Sequence, residues 1–189
     1  MKKSKRVFSA GCLIFAILML GNARRVHSME KGALEAATQN GQTEKFEAEL
    51  KEAIGDDLQK ANGKLKDNEA VEFVEAIVEA SLRFDIDPHL IKGVIITEST
   101  VQPEVKNYNG SCIGSMQVSP YWWDASLKKA GIIRNREDYF DIKRGVLAGT
   151  YVLDHYIGST ATLSKALEKY SGGAKNYYAK VMRNAKKSS

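Results

Sequence analysis

Apolar residues over most of the chain recur every three or four positions, the spacing of one face of an α-helix. In residues 68–84, NEAVEFVEAIVEASLRF, Val71, Val74, Ile77, Val78 and Leu82 share a face and glutamates occupy the opposite one. This predicts an amphipathic helix. DIDPHL predicts the start of a second: Asp87 can cap it, and Pro88 suits a first turn that needs no N–H. That helix carries LIKGVIITEST and stops before Pro103, since the residue ahead of a proline avoids helical geometry. YWWDASLKKAG predicts a short helix ending at Gly131. YFDIKRGVLAGTYVLDHYIG predicts a longer one, with Ile142, Val146, Gly149, Leu153 and Tyr156 on a face. TLSKALEKYSGG and NYYAKVMRNA complete the set. Residues 101–120 hold Gly, Asn, Ser and Pro without a period of 2 or 3.6, which predicts a long irregular connection. No alternating strand pattern exceeds about four residues. The expectation is an all-α domain over residues 68–189, with no internal repeat.

The N-terminal third has a different texture. MKKSKR is basic, VFSAGCLIFAILML is apolar, and Gly21-Asn22-Ala23 offers a small-x-small cleavage site. Residues 1–23 therefore have the form of a signal peptide or, if uncleaved, of an N-terminal anchor. The apolar stretch is short for a membrane span. Either way the remainder is expected to be exported, to the periplasm, the cell wall or the medium. Residues 24–67 contain 8 basic and 9 acidic residues, one Phe, no Tyr and no Trp. That is too little apolar surface for a domain of their own. TEKFEAELKEAI, with Phe46, Leu50 and Ile54 every four residues, predicts a helical piece. The segment is expected to be a polar, partly helical stalk, able to hold an envelope-complex partner or to dock on the domain through that stripe.

Charge changes the picture little. The chain carries +5, but without residues 1–23 the balance is 24 basic against 23 acidic residues. The pI near 9.1 is thus largely a property of the leader and points to no nucleic acid. A basic bias survives at Lys175, Lys180, Arg183, Lys186 and Lys187, either as a solvated helix face or as a contact for an anionic envelope polymer. Beyond the leader Cys112 is the one cysteine, so no internal disulfide forms. His27, His89 and His155 are scattered and suggest neither a zinc site nor a base for a catalytic thiol. No metal and no cofactor are expected.

One position carries candidate chemistry. On the second helix Ile91, Val94, Ile95 and Glu98 form one stripe at i, i+3, i+4 and i+7. A carboxylate among branched aliphatics loses hydration, so it holds its proton more tightly. Such a group is a candidate general acid.

Glu98-Ser99 closes that helix; Gly114-Ser115-Met116-Gln117 follows in the irregular segment, and Lys169-Tyr170-Ser171 lies near the C-terminus. In this order and spacing, from about residue 70 to 185, the chain resembles the soluble lytic transglycosylase domain family, related to goose-type lysozyme. The family pattern is a Glu-Ser pair, a Gly-Leu-Met-Gln turn and an Ala-Tyr-Asn-like motif. Ser115 and Ser171 depart from its usual Leu and Asn, and Thr100-Val101 from its small-aromatic pair.

The resemblance implies a lysozyme-like helical fold and peptidoglycan glycan strands as partner. It implies cleavage of the β-1,4 bond between N-acetylmuramic acid and N-acetylglucosamine with a 1,6-anhydromuramyl end, Glu98 acting as acid and then as base. Ser99, Met116, Gln117 and Tyr170 are implied as substrate-binding residues, with Tyr170 also placed to hydrogen-bond Glu98. Trp122, Trp123 and Tyr121 could stack on sugars, although neighbours on a helix point different ways, so core packing is the expectation for most. Two other functions remain open at this point. One is a goose-type hydrolase, with Glu104 or Asp124 as its second acid. The other is a non-catalytic wall-binding module.

Overall fold

The computed structural model describes residues 42–186. The leader read over residues 1–23 and the part of the polar segment up to residue 41 lie outside them, as does the Phe46 side chain. The described residues form seven α-helices: α1 (Gln42–Ala61), α2 (Asp67–Phe84), α3 (Pro88–Ser99), α4 (Pro120–Lys129), α5 (Ile142–Gly158), α6 (Leu163–Tyr170) and α7 (Tyr177–Ala185). A single 3-10 turn, Glu137–Tyr139, precedes α5. No strand occurs among them; Lys106, Ile113 and Val118 make only isolated bridges. The architecture is the all-α arrangement expected from the periodicity.

Local chemistry sets several helix starts. Asp87 caps α3 by accepting from the His89 N–H at 2.8 Å, and Pro88 occupies the first turn. Asp141 and Thr162 do the same for α5 and α6, accepting from Arg144 and Lys165 N–H. Each leaves one fewer exposed N–H unsatisfied.

Helix α3 is the buried centre. Ile91, Val94 and Ile95 are fully enclosed, as the stripe predicts, but Pro88, His89, Leu90, Lys92 and Gly93 are buried too. A helix covered on nearly all sides needs close neighbours. Helix α7 approaches at Gly93, where a Cβ would lie 2.7 Å from the Val181 carbonyl oxygen. Glycine there lets the two backbones meet. Helix α2 packs mainly on α5, and its buried side is Phe73, Val74, Ala76, Ile77 and Ala80. Val71, expected on that face, is 57% exposed. The buried stripe is centred on Phe73, Ile77 and Ala80, with Val74 and Ala76 at its sides, which leaves Val71 off the buried face.

Helix α1 packs on α2 and α3. Leu50, Ile54 and Leu58 join the same hydrophobic cluster as the α2–α7 residues. Asp57 of α1 reaches Lys92 at 2.5 Å, and Lys92 Nζ also donates to the Lys186 carbonyl at 3.1 Å. Lys92 is 0% exposed. One ammonium group thereby joins α1, α3 and the end of α7. A buried ion is tolerable only when paired and hydrogen-bonded in this way.

Candidate active site

Glu98 occupies the last turn of α3, partly buried, and faces a cavity of about 670 Å³. Tyr177, the first residue of α7, donates its O–H to Glu98 Oε1 at 2.5 Å. Oε2 has no protein partner among the described residues. Burial pushes the Glu98 carboxyl above the ordinary carboxylate value, and the Tyr177 hydrogen bond opposes that shift in part. Burial and the adjacent acid raise the Tyr177 phenol as well, so it stays a neutral donor. The pair is a carboxyl group that holds its proton more tightly than an exposed one, bonded to Tyr177 through one oxygen while the other has no protein partner among the described residues.

A short, strained segment follows the acid. Thr100 caps α3 in the left-handed region (φ 53°), and Val101 repeats that conformation (φ 58°). Such backbone is uncommon for a β-branched residue. Complete burial of Val101 and a hydrogen bond from Asn62 Nδ2 to its carbonyl hold it there.

The residues implied by the resemblance divide into two groups. Glu98, Gln117 and Tyr170 all line the cavity. Gln117 is fixed by donating from Nε2 to the carbonyls of Gly114 and Val105, at 2.9 and 3.2 Å. Tyr170 does not bond to Glu98. Its O–H donates to the Met116 carbonyl at 2.8 Å, and its ring stacks on Tyr177 with centroids 6.4 Å apart. The bond to Glu98 expected of Tyr170 is made by Tyr177, one layer closer. Ser99 and Met116 do not line the cavity. Ser99 Oγ is used at the helix end, donating to the Ile95 carbonyl and accepting from the Gln102 N–H. Met116 is buried against α5, where a side chain on Gly149 would collide with it. Its part in the site is the carbonyl that anchors Tyr170.

Glu98 is the one carboxylate lining the cavity among the described residues. Glu104 is exposed and lies outside the lining. Asp124 also lies outside it, engaged by Lys128 at 2.8 Å and by the Tyr139 hydroxyl at 3.4 Å. Among the described residues no second acid lines the cavity with Glu98.

Tyr121 and Trp122 at the start of α4 are 84% and 74% exposed, pack edge to face at 4.8 Å and both line the cavity. Core packing is the expectation for most of the three aromatics; it describes Trp123 in part, since Trp123 is half-buried against Tyr151, His155 and Tyr156 and also lines the cavity. Residues so large and apolar, held in water beside a cavity, mark a contact surface. Tyr177 was the functional residue not singled out from sequence. Its signal is the i, i+4, i+8 stripe Tyr177, Val181, Ala185, which turns it inward while Tyr178 stays 41% exposed.

The sequence is similar to known proteins. Residues 75–189 match the model for the transglycosylase SLT domain. A protein of Enterobacteria phage PRD1 described as a transglycosylase is 29% identical over 124 residues, covering 61% of this chain and 43% of that protein. The chain therefore aligns with less than half the length of this curated relative. No solved structure matches.

Proposed function

Because this chain belongs to the transglycosylase SLT domain family, we propose that it is a peptidoglycan lytic transglycosylase with Glu98 as its acid and base. The substrate bond is the β-1,4 link between N-acetylmuramic acid and N-acetylglucosamine. The carrying observation is a cavity whose single carboxyl group is desolvated and hydrogen-bonded by a phenol.

The chemistry follows from that environment. Glu98 gives its proton, through the unoccupied Oε2, to the glycosidic oxygen as the bond to the muramyl C1 breaks. The acetamido oxygen of the same sugar stabilises the cationic centre, a substrate-assisted route that needs no second carboxylate. Tyr177 continues to donate to Oε1, which steadies the carboxylate that forms. Glu98 then takes the proton of the muramyl C6 hydroxyl, and that oxygen closes on C1. The product ends in a 1,6-anhydro ring. Tyr121 and Trp122 offer flat apolar faces for the C–H faces of the strand's pyranose rings, and Gln117 lies in the lining with them. Such a substrate lies outside the cytoplasm, in keeping with the leader read at residues 1–23.

Digestion of purified peptidoglycan followed by mass spectrometry tests the proposal. Anhydro-muramyl ends, lighter than reducing ends by one water, are expected from the parent chain and are lost with Glu98→Gln. Reducing ends alone would establish hydrolysis instead.

A further inference from the structure

Two cations line the cleft, and the mechanism above uses neither. Lys169 precedes Tyr170 at the end of α6, and Lys180 lies one turn beyond Tyr177 on α7. Residues three apart on a helix share a face, so Lys180 sits beside the phenol that holds Glu98. Both lysines are exposed, and neither side chain is engaged in a hydrogen bond or ion pair among the described residues. Lys165 on the same helix as Lys169 is, by contrast, tied to Glu168 at 2.7 Å. The cleft offers them no anion of its own, since its one carboxyl group is Glu98. A concave surface bearing charge of one sign, with apolar walls, concentrates its field inside the cleft.

The substrate class carries charge unevenly. Each muramyl residue bears a lactyl ether at C3 that ends in a carboxyl group. That group is either free or extended by a stem peptide with carboxylates of its own. The neighbouring N-acetylglucosamine has none. Anions therefore recur on alternate sugars only, and cations beside the acid can distinguish the two.

Resting on the function proposed above, we propose that Lys169 and Lys180 bind the carboxylate borne by the muramyl substituent and so fix which sugar lies over Glu98. They are specificity-determining residues: they touch the substrate's anionic group and set the register of the strand.

The test uses the full chain carrying Glu98→Gln, which binds without turnover, and measures co-sedimentation with two forms of insoluble peptidoglycan. One is native; in the other the carboxyl groups have been converted to primary amides. A preference for the native wall of roughly tenfold is expected from two exposed charge contacts, declining as salt is raised. Adding Lys169→Gln and Lys180→Gln should bring the ratio near one, and Lys169→Arg with Lys180→Arg should restore it. Equal binding of both walls, or a preference undiminished in the double Gln variant, overturns the proposal. Strands stripped of stem peptides locate the anion. Retained preference assigns the free lactyl carboxylate and lost preference assigns the stem peptide, and either result supports carboxylate recognition. Turnover by the parent chain is scored separately. Charge preference without anhydro ends would sink the catalytic reading alone, and anhydro ends without charge preference would sink this one alone.

Discussion

On helix α3 the ionisable side chains of Lys92 and Glu98 lie six residues apart, the first fully buried and the second partly buried at a cavity, and they differ in the partner each meets. Lys92 meets an opposite charge, Asp57, at 2.5 Å. Glu98 meets a neutral phenol at the same distance. An ion partner compensates desolvation and lets a buried group remain charged. A neutral hydrogen-bond donor compensates only part of it, so the cheaper course for the acid is to keep its proton. One helix thus carries a structural ion pair in its interior and, at the cavity, the carboxyl group proposed as the proton donor. The nature of the partner, together with access to the cavity, distinguishes the two groups.

The largest expected effect comes from removing the proton. Glu98→Gln preserves shape and should lower turnover roughly 10²–10⁴-fold, the usual contribution of general acid–base catalysis. Anhydro product formation measures it. Next is the ion pair. Asp57→Ala strands a buried ammonium and should cost about 3–5 kcal/mol in urea unfolding. Asp57→Leu combined with Lys92→Met should recover most of that loss, because an apolar pair removes both buried charges. No recovery in the double variant would mean that the pair matters through geometry, not charge.

Smaller effects sharpen the acid side of the comparison. Tyr177→Phe removes a hydrogen bond worth about 1 kcal/mol, so kcat/KM should fall roughly fivefold. That bond lowers the Glu98 pKa; its loss should move the basic limb of the pH–rate profile upward. A downward or absent movement would contradict the assignment of Glu98 as the titrating acid. The smallest signal lies in stability against pH. The folded pKa of Glu98 is raised above its ordinary value of 4.5. Its contribution to stability is therefore present in full below pH 4.5 and is lost as pH rises through the folded value. Glu98→Gln should flatten that decline and be the more stable protein at pH 8, as read by thermal unfolding at several pH values.

Much of this was legible in the sequence. The 3.6-residue period gave the helices, Asp87-Pro88 gave the start of α3, and one acid on an aliphatic stripe pointed to Glu98. Residues whose roles depend on contacts across the fold were harder. Tyr177 lies 79 positions from its partner, and only helix packing at Gly93 brings α7 near enough to offer it. Lys92 and Asp57 look like surface charges in their local sequence, yet 35 residues apart they neutralise each other in the interior. Met116 and Ser99 fall beside true cleft residues in the chain, but alternation and helix-end bonding turn them inward. Tyr121 and Trp122 illustrate the converse, since an aromatic run suggests core and only the fold reveals that two of the three face water.

The paired left-handed residues Thr100 and Val101 bear on which parts of the fold support the cleft. A freshly made chain seldom visits that conformation at a branched residue, which costs on the order of 1–3 kcal/mol per position. The turn persists once Val101 has been enclosed and Asn62 from the preceding helical pair has reached its carbonyl. The backbone that follows Glu98 is thus anchored by a residue 39 positions before Val101, so the floor of the cleft depends on the joint between α1 and α2 as well as on α3 itself.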